Sequence, residues 1–346
     1  MYTSGTTGTP KGAIRSHRGM AMLALMTDVE FRLHRRDTTL LVMPMCHANS
    51  LNFFTASLFS SAGITIFSRA SFDPELCLRT LGAGVTFTSL VPTHYAMMLG
   101  LPRSEAIGSV EKLLVSSATA FPETKRLIIE MFANSGLYEL YGSTEAGWVT
   151  VLHPDEQFGH LGTVGREIVG SHQIRILDDD GQELRDGQPG ELFSCSPYQF
   201  DGYWNLPGKT AEAMRGQYLS VGDVALRDDL GFIRLIDRKK NLIVSGGENI
   251  YPAEVEQVLI THPDIREVAV IGRPDRKWSE RVVACVVPKP GTNPSPAQII
   301  AWSRGRLAGF KRPTEVIIIT PDEMPRNTTG KILHRKLRGM INTKIV

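Results

Sequence analysis

Residues 3–12, with the sequence TSGTTGTPKG, combine glycines, hydroxyl side chains and one lysine in a single short stretch. Glycine lets backbone amides approach an anion closely, hydroxyl groups add hydrogen-bond donors, and Lys11 supplies a positive charge. The spacing of its glycines and lysine differs from that of the Walker loop. The stretch therefore predicts a phosphate-binding loop, and the alternative is an ordinary surface loop.

Other segments carry groups that suit the same chemistry. They are YGSTE at 141–145, GD at 222–223, DRKKN at 237–241 and PRNTTGK at 325–331. Together with YTSGTTGTPKG, and in this order, they resemble the sequence blocks of the adenylate-forming superfamily, which comprises acyl-CoA synthetases, peptide-synthetase adenylation domains and luciferases. The segment SGGENIYPAEVE at 245–256 makes the chain especially similar to CoA ligases of aryl and fatty acids.

The resemblance implies a reaction in which a carboxylate attacks the α-phosphate of ATP, pyrophosphate leaves, and the acyl group then passes to CoA. Two anions must meet, so Mg²⁺ and protein cations have to neutralise their repulsion. By the resemblance, Glu145 is the Mg²⁺ ligand, Thr144 bonds the α-phosphate, Lys11 serves the phosphates and Lys331 carries the adenylation step. A solvated loop is the alternative for Thr144 and Glu145, and an ordinary surface lysine for Lys331.

The nucleotide site implied by the resemblance draws on several segments. Tyr141 would stack on adenine and Asp223 would accept hydrogen bonds from the ribose hydroxyls. Glu139 could accept from the adenine amino group, but it cannot donate to the ring. The full set of expected ATP-binding residues is Thr3, Ser4, Gly5, Thr6, Thr7, Gly8, Thr9, Lys11, Ser117, Ala118, Thr119, Glu139, Tyr141, Gly142, Thr144, Asp223 and Arg238.

The second half-reaction requires a hinge and a thiol site, and the first requires an acyl pocket. Lys240 matches the hinge position of the family. The resemblance assigns CoA binding to Gly246, Gly247, Trp278, Phe310 and Arg312, and the acyl pocket to His47, Phe53 and Trp148. Core packing is the open alternative for these aromatic and histidine side chains. The sequence HANSL lacks the glycine that many relatives carry after this histidine, so the shape of the pocket stays open.

Alternating patterns predict the elements that position these groups. Short β-rich runs separated by helical patterns are typical of a parallel sheet crossed by helices. The predicted strands are 39–44, 64–67, 85–89, 112–115 and 137–141, and the predicted helix starts are Asp73-Pro74 and Phe121-Pro122. Proline at the first helical position gives up no hydrogen bond, which is why these dipeptides indicate helix starts.

Beyond residue 150 the pattern changes. Turn clusters at 178–181, 186–190 and 228–231 predict an antiparallel β subdomain. A compact α+β pattern follows, with helices 253–261 and 296–307 and strands 268–271, 282–287 and 315–320. The fold class is therefore α/β: a partial large adenylate-forming domain, made of a parallel sheet with helices and a β subdomain, followed by a small α+β C-terminal domain. We expect the large AMP-binding domain at 1–237, the hinge at 238–241 and the small domain at 242–346.

Composition limits the alternatives. The 346 residues carry 38 Lys and Arg against 36 Asp and Glu, a balance that gives no long-range field for binding nucleic acid. Four scattered cysteines favour a reducing compartment, so we expect a cytoplasmic protein. Residues 40–67 contain no charged side chain, but Pro44 and several polar residues predict a buried strand followed by a core helix rather than a membrane span. The expected partners are a small carboxylic acid, ATP and CoA, with a homodimer left open.

Alternative functions remain at this point. An amino-acid adenylation domain is disfavoured because residues 39–71 contain no carboxylate to pair with a substrate ammonium. An acyl-AMP ligase with an acceptor other than CoA stays open. Members of the superfamily carry a substantial subdomain before the phosphate loop, and this chain has almost none. The chain is therefore also expected as a partial, N-terminally truncated form that binds ATP with weakened or absent turnover.

Overall fold

The structure, a computed structural model, describes residues 1–3, 10–69, 71–102, 107–117, 120, 122–327 and 330–343. The chain divides into two compact units. The first comprises residues 1–221 and 225–235, and the second comprises residues 222–224 and 236–346.

The strands of the first unit are short. In chain order they are β1 (Tyr2–Thr3), β2 (Lys11–Ile14), β3 (Thr38–Leu41), β4 (Gly63–Ile66), β5 (Phe87–Leu90), β6 (Lys112–Ser116), β7 (Gly136–Ser143), β8 (Gly147–Leu152), β9 (Arg166–Glu167), β10 (Arg175–Leu177), β11 (Gly190–Phe193), β12 (Gly202–Tyr203), β13 (Met214–Arg215) and β14 (Tyr218–Leu219). At the division between the units lie β15 (Asp223–Arg227) and β16 (Ile233–Arg238). The helices of the first unit are α1 (His17–Phe31), α2 (Ala48–Phe59), α3 (Pro74–Gly82), α4 (Pro92–Leu99), α5 (Pro122–Met131) and α6 (Pro207–Ala213).

The main sheet confirms the predicted parallel arrangement. Its strand order is β4-β3-β5-β6-β7-β8-β9, and the strands from β4 to β7 are parallel. β8 and β9 extend this sheet antiparallel, which the sequence patterns did not predict. The first predicted strand ends early, at Leu41, because Pro44 has no N–H for a sheet ladder.

Both predicted helix starts are confirmed. Asp73 caps α3, its side chain accepting a 3.0 Å hydrogen bond from the Leu76 N–H, and Pro74 is the first helical residue. α5 begins at Pro122. Residues 40–67 form β3, α2 and β4, as a strand followed by a core helix requires. In the described part of the chain, no helix has the length and hydropathy needed to span a membrane.

Helices cover the main sheet on both faces. In β6, Leu113 and Val115 join one buried cluster and Leu114 joins another, because successive side chains of a strand point to opposite faces. The first cluster includes α3 and α5 residues such as Leu81 and Ile128, and the second includes Leu23 of α1. The predicted β subdomain is also present, as a sheet in the order β10-β11-β15-β16. β6 and β7 are thus buried between two hydrophobic clusters.

The second unit is the predicted α+β fold. Its elements are β17 (Ile243–Ser245), β18 (Glu248–Ile250), α7 (Pro252–Leu259), β19 (Ile265–Asp275), β20 (Ser279–Pro288), α8 (Pro296–Ser303), β21 (Glu315–Ile318) and α9 (His334–Thr343), with 3-10 turns at Lys239–Asn241, Gly309–Lys311 and Pro321–Glu323. The sheet order is β18-β17-β20-β19, and β21 pairs with β20 in parallel. α7 and α8 share a buried cluster on one face, and α9 packs on the other.

Candidate active site

A tight hairpin presents Thr144 and Glu145. β7 and β8 pair antiparallel, with a register shift between Tyr141 and Gly142, and the turn between them contains both residues. A Cβ on Gly142 would lie 2.2 Å from the carbonyl oxygen of Gly147, so a larger residue would force the two strands apart. The glycine therefore sets the shape of the turn that holds the predicted Mg²⁺ ligand.

Glu145 is buried and has a hydroxyl partner. The Tyr203 hydroxyl donates a 2.7 Å hydrogen bond to Glu145 Oε1, and both residues are less than a tenth exposed. The ammonium of Lys11 lies 3.7 Å from the centre of the Tyr203 ring, a cation–π contact. The structure thus brings two predicted residues, Lys11 and Glu145, together through Tyr203. The sequence reasoning missed Tyr203, because only the folded chain pairs its strand β12 with β2, which carries Lys11.

Arg15 bonds to the same turn between β7 and β8. Its Nη1 donates a 2.8 Å hydrogen bond to the carbonyl oxygen of Thr144. Desolvation lowers the pKa of the guanidinium, and the nearby Tyr198, Asp201 and Glu145 oppose the shift. Arg15 was also missed, because an arginine just after a strand reads as a surface residue when its partners lie far away in the chain.

The ends of the predicted phosphate loop are fixed by a short hairpin. Thr3 in β1 pairs with Lys11 in β2, and β2 in turn pairs with β12, where Tyr203 lies. Ser4, Gly5, Thr6, Thr7, Gly8 and Thr9 lie outside the described residues. Lys11 lies over the ring of Tyr203, whose hydroxyl bonds Glu145.

The expected adenine residues lie at the ends of β6 and β7. Tyr141 is partly buried against the hydrophobic cluster of the β subdomain, and Ser117 has a positive φ of 69°. Ala118 and Thr119 lie outside the described residues. Glu139 is buried, and its carboxylate contacts the ammonium of Lys125 and accepts the backbone N–H of Ala120. Its partners in the protein therefore differ from the adenine contact predicted from the sequence.

Lys331 lies on a closed loop of the second unit. The side chain of Asn327 accepts the Lys331 N–H at 2.9 Å, and the Asn327 N–H donates to the Lys331 carbonyl at 3.0 Å. Arg326 donates to the carbonyl of Gly330 at 2.8 Å, so it bridges the same loop. These bonds tie the backbone at 326–327 to that at 330–331, and Lys331 as a residue is exposed.

Lys331 has charged neighbours within its own unit. Although the residue as a whole is exposed, surrounding atoms desolvate its ammonium, and this is the largest of the causes that lower its pKa to about 8; repulsion from Arg238 acts in the same direction. Asp223 and Asp237 oppose the shift. Arg238 Nε lies 3.0 Å from Asp223 Oδ1, so the predicted ribose carboxylate already has a cationic partner. Lys331, Asp223 and Arg238, three of the residues expected from the resemblance, therefore interact within the second unit.

The predicted hinge begins beside an ordered aspartate. Asp237 accepts hydrogen bonds from the Asn241 side chain at 3.0 Å and from the Ala253 N–H at 2.8 Å. Lys240 is exposed on the 3-10 turn Lys239–Asn241, which follows Asp237. The hinge role of Lys240 stays a prediction.

The predicted CoA residues divide into two groups. Gly246, with a φ of 61°, approaches Trp278 so closely that a Cβ would lie 2.9 Å from the indole, and its N–H donates to the Trp278 carbonyl at 2.8 Å. Gly247 follows with a φ of 87°. Phe310 lies on the 3-10 turn Gly309–Lys311, and Arg312 Nε donates to the Leu307 carbonyl at 3.0 Å. Trp278 and Phe310 are both nearly half exposed, as binding residues need to be.

The predicted acyl-pocket residues lie at the start of α2, within α2 and on β8. His47 lies at its N-terminus, and desolvation lowers the pKa of the imidazole. Phe53 and Trp148 are buried and stack with ring centres 5.0 Å apart, while the indole N–H donates to Thr27 Oγ1 at 3.0 Å. These two rings therefore contribute to the core cluster of this unit.

Asn49, near the start of α2, belongs to a buried group of polar side chains. Asn49 Nδ2 donates to Ser89 Oγ and to Ser116 Oγ, each at 2.9 Å. Ser116 is the last residue of β6 and Ser89 is the last but one of β5, at the carboxyl edge of the parallel strands, where ligands of open α/β sheets bind. Sequence reasoning missed both serines, because each lies in an apolar strand pattern.

Family models match both units. The model described as AMP-binding enzyme covers residues 1–204, and the model described as AMP-binding enzyme C-terminal domain covers residues 254–331. An indoleacetate–CoA ligase of Aromatoleum aromaticum is 35% identical over 348 residues, which is 99% of this chain and 67% of that protein. A long-chain-fatty-acid–CoA ligase of Mycobacterium tuberculosis is 34% identical over 351 residues, covering 100% of this chain and 68% of that protein.

Solved structures agree with the sequence matches. The ATP-bound crystal structure of MatB from Rhodopseudomonas palustris matches this chain with a TM-score of 0.92 and 32% sequence identity. The match covers 100% of this chain and 68% of that one. The chain therefore spans about two thirds of the length of each of these proteins.

Proposed function

The chain belongs to the AMP-binding enzyme family, and from that membership we propose that it activates a carboxylic acid with ATP and transfers the acyl group to CoA. In the first step a carboxylate oxygen attacks the α-phosphorus, and the bond from that phosphorus to the bridging oxygen of pyrophosphate breaks. In the second step the CoA sulfur attacks the acyl carbonyl and AMP leaves, while the thiol proton goes to solvent.

The arrangement of Lys11, Tyr203 and Glu145 is the observation that supports this proposal best. It places a cation and a carboxylate at the end of a glycine-rich loop, held from three separate segments of the chain. Transfer at phosphorus depends on positioning and charge more than on covalent chemistry. Lys11 would attract the phosphates, and the Thr144 hydroxyl would donate a hydrogen bond to the α-phosphate.

The donor set fits Mg²⁺. Mg²⁺ prefers hard oxygen ligands and is commonly held by one or two carboxylates together with substrate phosphates. One oxygen of Glu145 accepts from Tyr203, which orients the carboxylate, and among the described residues no cluster of three or more metal-ligating side chains exists to hold a metal without the nucleotide. When bound, Mg²⁺ would neutralise charge on the phosphates. Glu145 is the residue that would hold it.

Lys331 is the second cation we assign to adenylation. Its ammonium can pair with the substrate carboxylate and the phosphate oxygens as charge develops. Asp223 would accept hydrogen bonds from the ribose hydroxyls, with Arg238 beside it. Tyr141 would stack on the adenine. Gly246, Gly247, Trp278, Phe310 and Arg312 remain the proposed CoA residues.

The proposed acid is an aryl or fatty acid. Relatives named for indoleacetate and for long-chain fatty acids both match nearly the whole chain.

Acid-dependent exchange of labelled pyrophosphate into ATP tests the first step. We would offer indoleacetate, aromatic acids and fatty acids of increasing length to the purified chain with Mg²⁺. Exchange with at least one of these acids, and none without acid, is the expected result. ATP binding without exchange for any acid would overturn the proposal in favour of a nucleotide-binding form without turnover.

A second assay identifies the acceptor. The acyl-AMP is formed first and then mixed with CoA, and thioester formation is followed directly. Rapid thioester formation is expected. If the acyl-AMP persists with CoA present, the acceptor is another nucleophile and the second half of the proposal is wrong.

A further inference from the structure

Arg15 is a cationic residue whose backbone is fixed on both sides within the first unit. It lies between β2, which ends at Ile14, and α1, which Ser16 caps by accepting a 3.1 Å hydrogen bond from the Gly19 N–H. The Ile14 carbonyl accepts the Asp201 N–H at 3.0 Å, next to the pairing of β2 with β12. Since β2 and α1 both contribute buried residues to the core clusters, the side chain starts from a well-defined place.

The guanidinium of Arg15 spans the turn between β7 and β8. Its Nη1 donates a 2.8 Å hydrogen bond to the carbonyl oxygen of Thr144. At the other side of the turn, a Cβ on Gly147 would lie 3.4 Å from Arg15 Nη2, and Gly147 is the residue that pairs with Ser143. One arginine therefore lies against both sides of the turn that holds Thr144 and Glu145.

Stability alone does not explain a cation at this place. Arg15 Nε and Nη2 are buried, and neither has a hydrogen-bond partner in the part of the chain that the structure describes. A buried charge that is incompletely paired costs free energy, and an apolar side chain of similar size would avoid that cost. The Thr144 carbonyl is the group that the guanidinium does bond, so we expect the use of the cation to lie there.

The carbonyl that Arg15 holds belongs to the peptide group that joins Thr144 to Glu145. A peptide group is planar, so fixing the direction of its C=O fixes the plane that links the two Cα atoms. In the proposed reaction Thr144 bonds the α-phosphate and Glu145 holds Mg²⁺. The direction of one peptide plane therefore bears on both contacts.

We propose that Arg15 is a positioning residue that orients the peptide between Thr144 and Glu145, so that the α-phosphate contact and the Mg²⁺ ligand are set together. The inference rests on the proposed function, because both contacts belong to that reaction. Tyr203 provides the comparison, since its hydroxyl bonds the carboxylate of Glu145. Removing that hydroxyl should disturb the metal ligand, whereas removing the Arg15 guanidinium should disturb both contacts.

Calorimetry without any acid measures the two contacts separately. The ratio of AMP affinity to adenosine affinity reports the α-phosphate contact, and the gain in ATP affinity on adding Mg²⁺ reports the metal ligand. Arg15→Met is expected to reduce each ratio roughly fivefold, because a hydrogen bond from a charged donor is lost. Tyr203→Phe should reduce only the Mg²⁺ ratio. Arg15→Lys keeps a cation that can donate to the carbonyl and should recover part of both losses.

Arg227→Met is the matched control. Arg227 also donates from its guanidinium to a distant backbone carbonyl, that of Ile174 at 2.7 Å, but it lies in the β subdomain beside Glu167. This variant should lower the melting temperature and leave both ratios within about twofold, as expected for an independent site. Measuring all ligands on one sample keeps the test valid for a partly unfolded variant, since every ligand then sees the same folded fraction.

Three outcomes would overturn the inference. If Arg15→Met reduces only one of the two ratios, Arg15 does not set the two contacts together. If both ratios are unchanged and only the melting temperature falls, Arg15 is structural. If the ATP affinity of the wild-type chain does not respond to Mg²⁺, the turn holds no metal. A wild-type chain that shows both ratios but fails the exchange assay would overturn the proposed reaction and leave this inference standing.

Discussion

The two charged centres assigned to adenylation are held in different ways. Glu145 is buried in a strand hairpin, and groups from distant segments, Tyr203 and Arg15, bond to the carboxylate or its turn. Lys331 is exposed on a loop whose order comes from Arg326 and Asn327, a few residues away in the chain.

The contrast has a physical consequence. A carboxylate fixed by several elements needs little rearrangement when phosphates and Mg²⁺ arrive, so its contribution is set in the folded state. A lysine on a short self-supported loop keeps the freedom of its long side chain, and its charge responds to its surroundings. Variants of the two regions should therefore differ in size of effect and in the step that they change.

Removing the Lys331 cation should have the largest effect. Lys331→Ala is expected to slow acyl-adenylate formation by roughly 100- to 1,000-fold, the size found when one positioned charge-stabilising group is lost. Thioester formation from preformed acyl-AMP should stay nearly normal, because the phosphate chemistry is already complete. Acid-dependent pyrophosphate exchange and a single-turnover thioester assay measure the two steps.

Lys336→Ala is the control for this variant, since Lys336 is another exposed lysine of the same C-terminal segment. It should leave both steps unchanged. Equal losses in both steps for Lys331→Ala would show that Lys331 has no special part in adenylation.

Loosening the buried carboxylate should have a smaller effect. Tyr203→Phe removes the hydroxyl that bonds Glu145 and keeps the ring that faces Lys11. Hydrogen bonds to charged groups contribute about 1.5–3 kcal/mol, so we expect a fall of about tenfold in exchange rate at low Mg²⁺. Titration with Mg²⁺ should recover much of the loss. Tyr218→Phe, on the β13–β14 hairpin, serves as control, and a loss that Mg²⁺ does not reduce would contradict the assigned role of Glu145.

The same contrast between the two regions explains which site residues could be predicted from the sequence and which could not. Glu145 and Lys331 were both found, because each lies in a short block whose residue types match one chemistry. The residues that bond to the backbone around Lys331 lie in the same block, whereas Tyr203 and Arg15 lie 58 and 130 positions from Glu145. Only the folded chain brings those groups together, so a local pattern cannot indicate them.

The fold shows the same limit. The parallel strands and the helix starts at Pro74 and Pro122 were predicted, because hydrophobic runs and proline act locally. The hairpin partner β8 was not predicted, because its residues are buried throughout and show no alternation. Lys125 was missed for a related reason, since a single lysine in a helix gives no sign that an acid lies opposite it on a strand.

The charge of Lys331 should make adenylation depend on pH. Its pKa is lowered to about 8, and the ammonium is the charged form below that value. As pH rises through about 8 the amine loses its proton, so kcat/KM for ATP should fall about tenfold for each further pH unit. Lys331→Arg stays charged over this range, and its residual activity should show no such decline. A decline that persists in Lys331→Arg would assign the titration to another group.

Weakening the hydrogen bond between Asn327 and the Lys331 N–H should have the smallest effect on adenylation. The size of this effect tests how tightly the bond positions the lysine. Asn327→Ala removes the side-chain acceptor of the Lys331 N–H, and a neutral hydrogen bond contributes about 0.5–1.5 kcal/mol, so adenylation should slow about threefold. Asn327→Asp keeps an acceptor oxygen in the same place and should restore most of the rate. Because the loop acts on Lys331 alone, thioester formation from acyl-AMP should be unchanged in both variants. A loss as large as that of Lys331→Ala would mean that this short loop positions the lysine as tightly as the core positions Glu145, and the contrast between the two regions would disappear.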